Sequence, residues 1–563
     1  MKKKLVLLPF ISLVLGGCSF EDSKAWDEDR TFATKNVPII NKATEDYDIK
    51  GNELTIWYID GSDVPYVDLE GFINSFDGFF DAEGVSYEYD FKEGYVLVSH
   101  DERNKVVFDW AEDSIYANSY HDFEWYSFIG SSTDYGEHIY STNDYYYRDA
   151  SFEVNVADYY FDILCHEKKC ILPLFFANTL FCSTSGFNVF FNGEKCFATY
   201  GEMGNIDGYY DCERNKKTES YNMRVAAVNS LLFTMNTFYG LKEYKGYEDG
   251  FKNHLEKGTY DYLWSQGPLD NFIAYKEIVY GMLDELHTRI DMPSYYCDVS
   301  KASVGTDDYG DFWTEYYARR TTQRNLRKSV NWEENPVKFQ DDLAVIILNS
   351  FETGSRASIY DENGGVKEDA WKYDSYQYMR KCMEEISAHP EVDDIVLDLS
   401  LNGGGYVDAM EKVIGFMTDL KIPYSTYNTL DNAYRIDGSY VDIDGDGNYA
   451  GDAYDQYDWH LLTGVNTFSA ANLLTSTFKN MGLGKVIGKK SGGGMCSIMS
   501  LVLADGTAIT ISSPNSIRSV TESDGEKHFN AIEGGVEPDI DLAYEDFYDC
   551  SKIHEAINQS AAA

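Results

Sequence analysis

A serine at the junction of a strand and a helix, Ser469 in Asn466-Thr-Phe-Ser469-Ala470-Ala471-Asn472, has two uses. Its hydroxyl can cap the first turn of the helix. It can equally act as a nucleophile helped by the helix dipole and the uncapped N–H groups beside it. A second segment, Asp398-Leu-Ser-Leu-Asn402-Gly403-Gly404-Gly405, ends an apolar strand in three glycines before a helix. Glycines there allow close approach of a ligand and leave backbone N–H groups facing outward as an oxyanion or anion site. A tight strand–helix turn is the plainer use, but one glycine would suffice for it. A third segment, Asp442-Ile-Asp444-Gly-Asp446-Gly447-Asn448, sets oxygen ligands at alternate positions before a glycine, the first half of a Ca²⁺ loop. Ala453 stands where the loop's closing Glu belongs. A structural Ca²⁺ site and a solvated acidic turn both stay open.

The elements that must position these residues follow from periodicity. From 341 onward, short apolar runs at Leu343–Leu348, Ile395–Leu399, His460–Val465 and Lys485–Ile487 read as strands. They alternate with helices at Tyr376–Ala388, through Val413, Ile414 and Met417, and from Ser469. This is an α/β domain over 341–550. Residues 48–215 show period-2 alternation with aromatic and β-branched residues, a β-rich N-terminal domain. Residues 216–297 switch to helical spacing, with Val225, Val228, Leu232 and Met235 on one face, and 298–340 read as a polar linker.

The chain has 563 residues, 94 Asp+Glu against 47 Lys+Arg, and a formal charge of −47. Such a surface is repelled by phosphate backbones and anionic headgroups, which excludes nucleic acid as a partner and a polybasic membrane contact. The same charge predicts long-range steering toward cationic or neutral peptides. With 44% hydrophobic and 15% aromatic residues, the chain has the apolar content of a folded protein. Met1-Lys-Lys-Lys followed by apolar Leu5–Leu15 reads as a signal peptide over 1–17. It closes on Leu15-Gly-Gly-Cys18, similar to a bacterial lipobox, so Cys18 is expected to carry lipid, with 18–47 as tether and the lipid anchor as the sole membrane link. Five of the other nine cysteines fall within 165–212, where one or two disulfides fit an oxidising compartment. Their spacing matches no zinc site.

Taken in order, Asp398–Gly405, Asn466–Asn472, Gly484-Lys-Val-Ile-Gly488, Leu503–Thr507 and Gly535–Ile540 resemble the tail-specific protease domain of the S41 serine peptidases. The resemblance covers about 341–545, and Asp284-Glu-Leu-His287-Thr288 is similar to a segment that precedes the domain in many members. It implies a crotonase-like ββα-repeat fold, Ser469 as nucleophile, and an oxyanion hole from the N–H groups of Gly403 or Gly404 and of Ala470. The substrate implied is a peptide or protein, with no cofactor required. Two departures bear on activity. The lysine that serves as base in many members falls at Gly494, and the strand before the glycine segment, Ala344–Ser350, has no histidine. His287 is the candidate base; Lys489, Lys490 and His528 are the substitutes weighed against it. A silent relative that binds peptides or envelope fragments is the alternative. A lipid-type binder would instead show an apolar cleft with no polar group near Ser469.

Overall fold

The computed structural model describes residues 27–561 apart from 28, 45, 128–135, 202, 450 and 524. The expected signal peptide and Cys18 lie outside the described residues. Among the described residues, no helix is long and apolar enough to cross a membrane.

The N-terminal half is β-rich. Val85–Asp90, Tyr95–His100, Asn104–Asp109, Ser114–Ala117 and Phe152–Asn155 form an antiparallel five-stranded sheet. A separate seven-stranded sheet has Phe32–Asn41 near its middle, between Glu53–Ile59 and Cys196–Tyr200. The stretch expected as a tether over 18–47 therefore contributes a ten-residue strand. It shows no clear apolar alternation, because half of its residues stay exposed and only Val37 is fully buried. One further strand, Ile139–Arg148, leaves the N-terminal sheets and pairs antiparallel with Ala433–Val441 of the C-terminal half.

The C-terminal half is built on a six-stranded sheet whose spatial order follows the chain: β1 (Val337–Gln340), β2 (Leu343–Ile347), β3 (Asp394–Asp398), β4 (Asp458–Thr463), β5 (Gly484–Gly488) and β6 (Ile540–Asp541). Only the β1–β2 pair is antiparallel. Strands buried on both faces read as unbroken apolar runs, which is why Leu343–Ile347 was visible in sequence. Alternate residues serve two cores. Ala344, Ile346, Ile395, Leu397 and Leu461 pack with helices Ser375–Ser387 and Val407–Gly415 and with α2 (Ala470–Met481). Leu343, Val345, Val396 and Leu462 pack on the other face with Ile553 and Ile557 of the C-terminal helix.

The segment expected as a linker over 298–340 holds α1 (Asp311–Ser329), and β1 follows it into the sheet. The helix escaped recognition because its inward stripe, Trp313, Tyr316, Gln323 and Arg327, is half polar. Its N-terminus is capped from elsewhere in the chain: Asp284 accepts from the N–H groups of Phe312 (2.8 Å) and Trp313 (3.0 Å). That contact ties α1 to the segment carrying His287. The nine described cysteines are free thiols, although Cys165 and Cys170 lie directly opposite each other across two strands.

Candidate active site

Ser469 occupies the N-cap position of α2, yet its side chain caps nothing. Its backbone is at φ 57°, ψ −124°, a region that a residue with a Cβ adopts only under strain. Two loops hold it there. The Ser469 N–H donates to Gly493 O (2.8 Å), and the preceding Phe468 N–H donates to Asn402 O (3.0 Å). The hydroxyl is thereby aimed away from the helix, and Oγ lies 3.1 Å from His287 Nε2.

His287 comes from 182 residues upstream and is fixed on both sides. Before it, Glu285 accepts from the His287 N–H (2.7 Å) and from the Thr288 hydroxyl, while the Glu285 carbonyl accepts from Trp313 Nε1 (3.1 Å). After it, Arg289–Met292 pairs with the long strand Ala508–Ser523. The imidazole packs beside the Phe468 ring, with centroids 4.8 Å apart. Burial first, and then the Arg289 charge, lowers its pKa to about 4, so the ring is neutral at pH 7. A neutral ring that accepts the Ser469 proton at Nε2 carries its own proton on Nδ1. That atom is buried without a hydrogen-bond partner among the described residues.

The glycine segment lies against the serine. A Cβ on Gly404, at φ +105°, would stand 2.8 Å from Ser469 Cβ and 3.0 Å from Ala470 N. The Gly404 N–H donates to Asn402 Oδ1 (2.9 Å), so Gly404 is not free to serve as an oxyanion donor as one alternative had it. Asn402 is wholly buried and its amide donates to Leu348 O (3.1 Å), which fixes the loop. The Ala470 N–H is an uncapped first-turn group of α2, and Gly403 directly precedes the glycine that packs on Ser469.

The substitutes for His287 point elsewhere. Lys489 Nζ pairs with Asp541 (2.6 Å), Lys490 with Glu537 (3.1 Å), and His528 Nε2 lies 2.8 Å from Ser523 Oγ. Gly494 has φ +86°, and a Cβ there would meet the Phe468 ring at 2.6 Å, so its place in the fold has no room for a lysine stem. With His287 and the Ser469 hydroxyl in contact, the purely apolar cleft of a lipid-type binder is ruled out.

Two acids near the site, buried Glu285 and partly buried Glu533, were not singled out from sequence. Glu285 was in view as part of the His287 segment. Glu533 carried no local signal: its carboxylate accepts from Met495 N–H (2.7 Å), and its pKa rises to about 7 through burial and then the charge of Glu285. Burial likewise raises Glu285. Earlier in the chain, Asp442, Asp444 and Asp446 converge with Asp452, one carboxylate oxygen from each lying within 4.8 Å of the others. Asp452 joins the three expected carboxylates in that group.

Residues 342–542 match the model of peptidase family S41, so this part of the chain is an S41 peptidase domain, and the match supports serine-type peptidase activity on peptides or proteins. No curated protein matches the sequence. Among solved structures, a candidate peptidase from Parabacteroides merdae aligns at 15% identity over 61% of this chain and 96% of its own, with TM-score 0.40. A lipoprotein from Streptococcus agalactiae aligns at 12% over 60% and 96%, with TM-score 0.33. The photosystem II D1 C-terminal processing protease aligns at 19% over 40% of this chain, with TM-score 0.28; the alignment spans 54% of that protein.

Proposed function

We propose that the chain is a serine endopeptidase, anchored at a bacterial surface through lipidated Cys18, that works through an acyl-enzyme at Ser469. The observation that carries the catalytic part is the 3.1 Å contact of Ser469 Oγ with a neutral, partly buried His287. In this reading His287 Nε2 takes the hydroxyl proton as Oγ attacks the peptide carbonyl carbon. The carbonyl oxygen becomes an oxyanion held by the N–H groups of Gly403 and Ala470. Collapse breaks the C–N bond, His287 returns the proton to the leaving amine, and an ester on Ser469 remains. Water then attacks that ester by the same proton path and frees the acid. No cofactor enters these steps. The acidic loop Asp442–Asp446 with Asp452 is read as a structural Ca²⁺ site, since four carboxylates so close suit a hard divalent cation.

A fluorophosphonate probe tests the catalytic reading. Wild type should be labelled, while Ser469→Ala and His287→Ala should not; equal labelling of wild type and Ser469→Ala overturns it. Metabolic labelling with a palmitate analogue tests the anchor, and a Cys18→Ala chain that still takes up lipid overturns that part.

A further inference from the structure

At the ends of the central strands remote from the catalytic loops, two imidazoles and two carboxylates converge. Asp342 precedes β2, Asp394 opens β3, and His460 lies near the start of β4. His554 comes from the C-terminal helix, Cys550–Ala561, which covers this face of the sheet through Ile553 and Ile557. One donor atom each from Asp342, Asp394 and His554 lies within 4.8 Å of the others. His460 Nε2 adds a fourth donor, 3.0 Å from Asp394 Oδ1. The convergence follows from register: β2, β3 and β4 are parallel neighbours, so the residues that begin them stand side by side. The Asp394 N–H donates to Asp342 O (3.1 Å), which holds the two carboxylate positions together.

Hydrogen bonding alone leaves this cluster incomplete. His554 Nε2 is 2.7 Å from Asp342 Oδ1, yet the approach is not aligned as a hydrogen bond, and Asp342 Oδ1 is buried with no hydrogen-bond partner among the described residues. His554 Nε2 also lies 3.1 Å from Asn558 Nδ2, one turn on in its own helix. His460 is only 7% exposed, and its Nδ1 is likewise buried without a partner among the described residues. The two carboxylates are paired with these imidazoles, and no Lys or Arg forms an ion pair with either among the described residues. Carboxylates this close repel one another unless positive charge lies between them, and an imidazole in its neutral form supplies none.

We propose that Asp342, Asp394, His460 and His554 form a structural site for a divalent transition-metal ion, Zn²⁺ being the ion that this donor set suits. Imidazole nitrogens favour Zn²⁺ over Ca²⁺ and Mg²⁺, which take oxygen ligands. Two carboxylates balance the charge of the ion, and two neutral imidazoles complete a tetrahedral set. Donors in such a set stand about 3.3 Å apart, given bonds of about 2.0–2.1 Å. The two imidazole–carboxylate approaches are shorter than that and the widest pairs longer, so a bound ion evens them out through small side-chain shifts. The Asp342 and His554 side chains are 45% and 22% exposed, which gives the ion a way in from solvent. Bound there, it clamps the last helix of the chain to three strands of the central sheet. Gly403 and Ser469 follow the opposite ends of β3 and β4, so the ion stands outside the catalytic chemistry.

Zinc content after dialysis of the full chain against micromolar Zn²⁺ tests the site, with no readout that depends on peptide cleavage. Wild type should retain a zinc ion that His554→Gln and Asp394→Asn lose, with affinity lower by about a hundredfold or more. Asp446→Asn should retain it, which separates this cluster from the acidic loop. Zinc should also slow amide hydrogen exchange across Cys550–Ala561 in wild type and leave it unchanged in His554→Gln. Should Asp394→Asn fail to fold, His554→Gln carries the test, since its side chain is partly exposed on a surface helix. A wild type that retains no zinc, equal zinc content in wild type and His554→Gln, or exchange in the helix indifferent to zinc overturns the site.

Discussion

His287 Nε2 and Ser469 Oγ meet at 3.1 Å although they belong to different parts of the chain, one just before a strand of a large antiparallel sheet and the other at the head of α2. The first predicted consequence is a pH profile. Burial holds the imidazole pKa near 4, so the base stays unprotonated well below the usual histidine range. kcat/KM should therefore hold from pH 7 down to about pH 5 and fall with a midpoint near 4. His287→Ala should lose about 10⁴-fold or more in kcat, as removal of a member of such a constellation does. An acid limb centred at 6.5 with the wild-type enzyme would show that His287 is not the base that is titrating.

The absent lysine gives the second prediction. A dyad of the lysine type cannot be rebuilt by Gly494→Lys, because the backbone is at φ +86° and the new Cβ would press on the Phe468 ring. Phe468 precedes the nucleophile and packs on His287, so the strain reaches both catalytic groups. The variant should lose about 1–3 kcal/mol of stability from the backbone alone and should have less activity than wild type. Urea unfolding and peptide turnover measure the two effects. A Gly494→Lys protein more active than wild type would mean the lysine route is open.

The chemistry-bearing turns were legible in sequence because each sits where a buried apolar strand gives way to small residues. Leu343–Ile347 and Asp394–Asp398 announce themselves as apolar runs, and Asn402–Gly405 and Ser469 follow from where such strands end. What sequence could not give is what long-range contacts decide. Nothing local in His287 says that Asp284 and Trp313 lock its segment to α1, and nothing in Glu533 says that it lies near Glu285. The Ser469 N-cap ambiguity was a local one, and φ 57° with no capping bond resolved it. Strand Phe32–Asn41 has a single fully buried side chain and helix Asp311–Ser329 turns a half-polar stripe inward, and an apolar-periodicity reading sees neither.

The acidic loop makes the third prediction. Burial and then the charges of Asp444, Asp446 and Asp442 raise the pKa of Asp452, a sign that four carboxylates crowd one another. A cation would relieve that repulsion. Adding Ca²⁺ to a hundredfold excess over its dissociation constant should stabilise the protein by about 2.7 kcal/mol, read as a rise in Tm that EDTA reverses. Asp446→Asn should shrink the rise. A Tm indifferent to millimolar Ca²⁺ removes the site.

The fourth prediction concerns Glu533 and His287 and the sign of their effects on stability. Glu533 titrates near 7 in the folded protein against an ordinary value of 4.5, because burial and the neighbouring Glu285 disfavour its charge. Between those values the folded state keeps a proton that the unfolded chain has released. Its contribution to stability is therefore complete below about pH 4.5 and is lost as pH rises through about 7. His287 works in the opposite direction: its folded pKa near 4 lies below the ordinary 6.5, so stability is lost as pH falls from 6.5 toward 4. Together they set a stability maximum in mildly acidic solution. Glu533→Gln keeps an acceptor for the Met495 N–H without a charge to release, so the alkaline decline in Tm between pH 5 and 8 should flatten while the acid decline persists. His287→Gln should do the reverse. If Glu533→Gln leaves the alkaline limb as steep as in wild type, the carboxyl is not the group whose proton is lost there.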